Sequence, residues 1–251
     1  MEPADVLDNV RQIADRFAAD RRARQLRTVL IRSEFDELAE AGLPLSGVPT
    51  DQGGLWESQR TSTRVICELL RTLARGDSSL ALVSAMHPSV LAFWLASPVA
   101  PEPYTAAWEM QRRAQFEAVV EGAWWGTITS ESGSGGDVLN TKAKARVDDV
   151  GYRLTGAKQF GSGSGITSFM ITTAVPDDEA EPDWFVLPVK DVPWDGSSGM
   201  KLVGEWDGHG MIATQSHGFV FEAYPATRFA WGYSSQPSSA TSIEAASCIS
   251  T

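Results

Sequence analysis

An α+β fold is predicted, with an all-helical N-terminal domain over residues 1–121, a small antiparallel β-barrel domain over 122–229 and a low-complexity tail over 230–251. A change of hydrophobic rhythm predicts the first boundary. Apolar side chains recur at helical spacing before it, and short runs of Thr, Val, Ile and aromatics broken by Gly, Asp and Pro follow it. The fading of that rhythm after Arg228 predicts the second. The stretch from Ser234 to Ser242 has too little apolar surface to offset the entropy of ordering it.

Val6, Val10, Ile13 and Phe17 form the apolar stripe of a first helix. Ser33 is placed to cap a second, in which Phe35, Leu38 and Ala39 face inward and Gly42 marks the stop. Val65, Leu69 and Leu73 share a third face, broadened by Ile66 and Leu70 and ended by Gly76. The next helix begins near Asp77 or Ser78 and carries Leu80, Val83, Met86, Val90 and Trp94, and the last fills 102–121. Strands are expected at 124–130, 141–147, 151–158, 167–174, 183–188 and 216–222. The acidic run from Asp177 to Glu181 reads as a solvated hairpin loop.

The 251 residues carry 21 Lys and Arg against 32 Asp and Glu, a formal charge of −11 that repels a phosphate backbone and argues against nucleic acid. No apolar run approaches the roughly 20 residues that cross a bilayer, and the start is not basic, so no membrane association and a cytoplasmic location are expected. Cys67 falls in an apolar helical stretch and is expected to be buried, Cys248 lies in the tail, and His87, His209 and His217 are too scattered to predict a metal site.

Two segments have the composition of a ligand site. In the first, Thr127-Ile128-Thr129-Ser130-Glu131-Ser132-Gly133-Ser134-Gly135-Gly136-Asp137, a hydroxyl-rich strand runs into a glycine-dense loop whose backbone N–H groups can approach a ligand. A plain surface turn has the same composition, and the spacing matches neither a Walker A nor a Rossmann fingerprint. In the second, Phe160-Gly161-Ser162 follows a hairpin. An aromatic face beside a small hydroxyl suits a flat heteroaromatic cofactor, although an ordinary core Phe would read the same way.

The order of four stretches resembles the acyl-CoA dehydrogenase family across residues 1–228. They are Leu43-Pro44-Leu45-Ser46-Gly47-Val48-Pro49 with Gly53-Gly54-Leu55; Leu73 to Leu82; Ser130 to Asp137, similar to the family's Thr-Glu-Pro-x-Ala-Gly-Ser-Asp signature; and Gly210 to His217 with Val220-Phe221-Glu222 and Pro225-Ala226. The resemblance implies FAD, with FMN second. It sets Thr127, Thr129 and Ser130 along the flavin's pyrimidine edge, Phe160 in place of the tryptophan beside the isoalloxazine, Gly161 in the adjoining turn and Ser162 in place of the threonine at N5. Gly135 and Gly136 fall where the pantetheine arm of an acyl-CoA passes.

Three departures stand out: Gly136 replaces a serine that commonly bonds CoA, Ser132 replaces a proline, and Gly163 stands where asparagine is frequent.

The implied activity is α,β-dehydrogenation of an acyl-CoA thioester with FAD as hydride acceptor. The catalytic base of the family belongs to a C-terminal four-helix bundle, which this chain is expected to lack. No catalytic residue is assigned: Glu131 matches a family position without a base role, and Glu222 is expected at a surface strand end. A missing bundle leaves activity as a single chain open and implies homo-oligomerisation or a partner that supplies it. The alternatives are a flavin-dependent monooxygenase of the same fold, favoured by the relaxed CoA contacts, and a non-catalytic remnant or interaction protein.

Overall fold

The structure is a computed structural model and describes residues 1–177 and 179–232. Asp178 and residues 233–251, and with them Cys248 and most of the expected tail, lie outside the described residues.

Helix α1 (Pro3–Ala19) opens with a capping box between Glu2 and Asp5 and a proline in its first turn, and it buries the expected stripe of Val6, Val10, Ile13 and Phe17. A short α2 (Arg21–Arg24) leads to α3 (Arg32–Glu40). Ser33 does not cap α3, because the chain enters the helix two residues earlier and Ile31 takes the N-cap position without a side-chain bond. The fourth and fifth helices are α4 (Gln59–Gly76), capped by Ser58, and α5 (Ser78–Ala96). Asp77 separates them and caps α5, accepting from the N–H groups of Ser79 and Leu80 at 2.9 and 3.0 Å. Its other oxygen accepts from Arg24 Nε at 2.7 Å, while the rest of that buried guanidinium grips Glu34 at 2.6 and 3.0 Å. One arginine thus joins α2, α3 and the α4–α5 corner. Helix α6 (Thr105–Val120) completes this region.

Two expectations about these helices need correction. Cys67 is exposed on α4, because the buried face runs through Ser62, Ile66, Leu69, Thr72 and Leu73 and 67 falls to its side. Helix α5, at 19 residues, is long and apolar enough to cross a membrane, so an apolar run of that length does exist. Most of α5 is buried in the protein, and its apolarity on every side is that of a core helix.

The strands are β1 (Trp125–Thr127), β2 (Lys144–Asp148), β3 (Gly151–Gly161), β4 (Phe169–Pro176), β5 (Asp183–Pro188), β6 (Met200–Gly204) and β7 (His217–Arg228). Strand β4 pairs with β2 and β5, β2 with β3, β3 with β7, and β7 with β5, which closes the ring of a small barrel. Strand β1 adds to β4 and β6 to β7. Most pairings are antiparallel, but β4 runs parallel to β1 and β2. Strand β6, too short and too polar for alternation to reveal, is added to the expected set, and β7 continues six residues beyond the expected end at 222. The loop after β4 is a hairpin connection as expected, and its Glu179, still exposed, accepts two hydrogen bonds from Arg228 at 2.6 and 2.7 Å.

Helices and barrel share an aromatic seam of Trp94 (α5), Trp108 (α6), Trp125 (β1), Trp184 (β5), Phe229 and Trp231. Phe229 lies 4.8 Å from Trp94 and Trp231 meets Trp108 edge-on at 5.8 Å. The Gln111 side chain holds this segment through the Arg228 carbonyl and the Ala230 N–H, each at 3.0 Å. Residues 230–232 therefore pack with the core and not as a tail: Trp231, buried beside Phe229, anchors them in the seam.

The seam also contains His87 of α5, fully buried, whose Nδ1 accepts the Trp125 N–H at 3.1 Å. Burial pushes its pKa down to about 3, against an upward pull from the Pro44 carbonyl.

Gly76 faces α1 so closely that a Cβ there would lie 2.5 Å from the Ala14 carbonyl oxygen. Gly76→Ala is expected to cost about 1–3 kcal/mol in urea unfolding by forcing the two helices apart; unchanged stability would show that they can separate freely. In the unfolded chain His87 takes up a proton near pH 6.5, whereas the folded chain resists it down to about 3. Stability is expected to fall on acidification through that window by on the order of 1 kcal/mol per pH unit, and His87→Gln to flatten the fall. Urea midpoints between pH 7 and 4 measure both slopes, and parallel profiles would exclude His87 as the source.

Candidate functional site

The two segments singled out in the sequence meet where β1, β3 and the start of β7 converge on α5. Beyond Thr127, the Ile128 N–H donates to the Ile171 carbonyl, and two residues later the Ser130 carbonyl accepts the Gln159 N–H at 2.8 Å. Thr129 lies between these anchors, part-exposed, and makes no hydrogen bond among the described residues. Thr127 turns its hydroxyl to the Met86 sulfur of α5, at 3.7 Å.

This crossing is stapled by a buried ion pair. Lys158, with no exposed surface, places Nζ 2.6 Å from Glu131 Oε1 and also donates to the Thr173 carbonyl at 2.7 Å and Thr141 Oγ1 at 3.0 Å. Glu131 accepts from the Thr141 hydroxyl, from the Lys142 N–H at 2.8 Å and from the Ala143 N–H at 3.3 Å. Burial lowers the Lys158 pKa, with Glu131 pulling it back up. Burial alone would raise Glu131, but its bonds to Lys158, Thr141 and the Lys142 N–H hold it below the ordinary carboxylate range. A carboxylate so held is a structural anion and not a free base.

Immediately after this staple the chain turns through Phe160 at φ 59°, a left-handed conformation that a bulky side chain adopts only under constraint from its surroundings. The Phe160 ring is 55% exposed and meets Trp206 edge-on at 6.2 Å. Trp206 is fixed in turn: its backbone N–H donates to His217 Nδ1 at 2.9 Å and its indole N–H to the Met211 carbonyl at 3.2 Å. Phe160 is thus an outward-facing platform and not a core residue. Gly161 packs closely, since a Cβ there would come within 2.8 Å of the Ile128 side-chain end and 3.1 Å of the Ser164 hydroxyl, and those side chains would have to shift.

Ser162 is almost fully buried. Its hydroxyl lies 2.7 Å from that of Ser216, which lies 2.7 Å from Thr214 Oγ1. Each hydroxyl has one proton and two lone pairs, so this row can orient Ser162 either to donate to or to accept from a ligand at its open end. The 211–217 segment that carries it is held rigidly, with Met211 and Gln215 at φ 49° and 48° and Gln215 Oε1 accepting the Leu30 N–H at 3.0 Å. Gly135 and Gly136 lie apart from this cluster in an exposed loop, at φ 68° and 86° with open space around them.

The structure therefore brings Thr127, Thr129, Ser130, Phe160, Gly161 and Ser162 into one region and leaves Gly135 and Gly136 on its outer loop. Sequence reasoning assigned no role to Thr214, Ser216 or Trp206. The first two lie within the matched stretch 210–217, but nothing local marks a hydroxyl that pairs 54 residues away. An exposed aromatic platform, an unengaged backbone unit at Thr129 and a hydroxyl row fit a flat heteroaromatic group with polar edges.

No family model matches the chain. Over 201 residues it is 28% identical to the amino sugar nitrososynthase DnmZ of Streptomyces peucetius, covering 77% of this chain and 44% of that protein. Over 223 residues it is 25% identical to dibenzothiophene monooxygenase of Rhodococcus erythropolis, covering 86% and 49%. The chain spans about half the length of these curated relatives. Its fold matches the N-terminal and middle parts of TdsC from Paenibacillus sp. A11-2, solved with FMN and indole, at a TM-score of 0.69 and 25% identity over 87% of this chain and 51% of that one. The architecture is acyl-CoA dehydrogenase-like, and the named relatives are monooxygenases and a nitrososynthase, not dehydrogenases.

Breaking the staple tests its place in the site. Lys158→Met leaves a buried carboxylate unpaired and is expected to cost about 3–5 kcal/mol in urea unfolding, while the double change Lys158→Met with Glu131→Leu recovers most of it. Additive losses in the double variant would show that the two charges do not act as a pair.

Proposed function

We propose that this chain forms the flavin-holding part of a flavin-dependent monooxygenase with the acyl-CoA dehydrogenase fold, acting on a small molecule with an electron-rich heteroatom or aromatic ring. The Phe160 platform carries the reading: a strained, exposed aromatic beside a hydroxyl row is a costly arrangement for a protein surface and a useful one for an isoalloxazine. The relatives' names support this chemistry, since two of them name a ring sulfur compound and an amino sugar and a third was solved with indole. They reverse the order suggested by the sequence, in which acyl-CoA dehydrogenation came first and oxygenation second. The open, side-chain-free Gly135 and Gly136 supply no side-chain contact to a CoA arm, in keeping with that reversal.

FMN, the flavin in the TdsC structure, takes precedence over the FAD implied by the family resemblance. In this reading Phe160 packs against the flavin ring system, Thr127, Thr129 and Ser130 face its pyrimidine edge, and Ser162, oriented by Ser216 and Thr214, meets the edge that carries N5. Reduced flavin supplies the activation of oxygen, one atom entering the substrate and the other leaving as water. In this reading the apolar rim of Phe160, Trp206 and Met211 is the surface that further residues, on a continuation of the chain or on a partner, would cover to complete the site.

Titration of FMN and FAD into the protein is expected to shift the visible flavin bands and quench flavin fluorescence, with Phe160→Ala weakening binding at least ~10-fold, about 1.4 kcal/mol. A flavin spectrum unchanged at tens of micromolar protein (~50 μM) would overturn the site. Substrate-dependent oxygen uptake with reduced FMN and indole separates oxygenation from dehydrogenation, which would reduce bound flavin from an acyl-CoA without oxygen.

A further inference from the structure

A cavity of about 540 Å³ opens in the helical region between residues 49–59, the C-terminal end of α5 and helix α6, away from Phe160 and Ser162. Its polar anchor is Arg112. This half-buried guanidinium is held on one side, by Nε donating to the Trp94 carbonyl at 3.1 Å, and lies over the Phe116 ring at 5.0 Å. Its two Nη groups, four N–H donors, make no hydrogen bond and no ion pair among the described residues. The part-buried Arg24 and Arg228 differ, since each is paired with carboxylates at 2.6–2.7 Å. Burial pushes the Arg112 pKa down, with Asp51 and Glu109 pulling the other way from a distance.

A half-buried guanidinium fork, held at Nε and unpaired at both Nη groups among the described residues, presents the geometry that a carboxylate fills with two parallel hydrogen bonds. The rest of the cavity narrows the choice. Trp56, Ala92 and Leu95 give it an apolar wall, and the exposed Asp51 and Glu57 place two negative charges at its rim. A dianion is repelled there, whereas a ligand with both signs matches the arrangement.

We propose that this cavity binds a small amino carboxylate with an apolar body, such as an apolar α-amino acid. The carboxylate lies on the Arg112 fork, the ammonium toward Asp51 and Glu57, and the body against Trp56, Ala92 and Leu95. The proposal is independent of the flavin reading.

Isothermal titration of the full chain with L-leucine, 3-methylbutanoate and 3-methylbutylamine tests it. L-Leucine is expected to bind, with each single-charge analogue at least ~10-fold weaker, and Arg112→Gln to abolish the signal. The double change Asp51→Asn with Glu57→Gln lies on exposed positions and leaves the Arg112 anchor in place; it is expected to weaken leucine at least ~5-fold without weakening 3-methylbutanoate. No leucine binding up to ~10 mM, equal binding of 3-methylbutanoate, or leucine affinity unaffected by the rim substitutions would each overturn the proposal. Should Arg112→Gln fail to fold, the rim variant alone decides.

Discussion

An ammonium with no exposed surface lies against a carboxylate inside the barrel, and the candidate site is built around that contact. Each of these ions costs several kcal/mol to remove from water, so the pair is tolerable only when every lone pair and proton finds a partner, as happens between Lys158, Glu131, Thr141, Thr173 and the backbone of 142–143. The requirement fixes register. A slip of one residue in β3 would carry Lys158 to the outer face and leave Glu131 buried without its cation. Because Glu131 follows Ser130 and Lys158 precedes Gln159, the same contact aligns the hydroxyl-rich strand with the turn that exposes Phe160.

The second constraint is the aromatic seam, which joins helices to barrel by packing more than by polar bonds. Among the described residues the buried indole nitrogens of Trp94, Trp125 and Trp184 have no hydrogen-bond partner, so the seam depends on area and shape, with the His87–Trp125 bond among its few polar ties. Through it α5 is pressed on β1, which brings Met86 to Thr127 and Val83 close to Gly163. The site lies at the junction of two layers, each positioned by a different kind of interaction.

Strain is concentrated at that junction. Phe160, Met211 and Gln215 all adopt left-handed backbone conformations, at φ 59°, 49° and 48°, and each borders the hydroxyl row or the exposed ring. Residues without glycine's freedom keep such conformations only where surrounding bonds over-determine them, and the Gln159–Ser130 and Gln215–Leu30 bonds do so here. The two features, an aromatic platform and an oriented hydroxyl, are those a bound ring would use.

Local periodicity by itself determined the five longer helices, the start of α5 near Asp77, the hairpin after β4 and the two-part order of the chain, because those features depend on residues three or four apart or on alternation along one strand. The glycine loop and the Phe160 turn were legible as ligand-like composition, and the order of four short stretches gave the architecture. Only the tertiary structure decided that Lys158 is buried, that Cys67 is exposed, that Trp231 closes a core, and that Ser216 and Thr214 stand behind Ser162. Each of these depends on which surface a distant segment covers. The Lys158 and Ser162 side chains pair with residues 27 and 54 positions away, and such pairings leave no mark in the local sequence until strand register and layer packing bring them together.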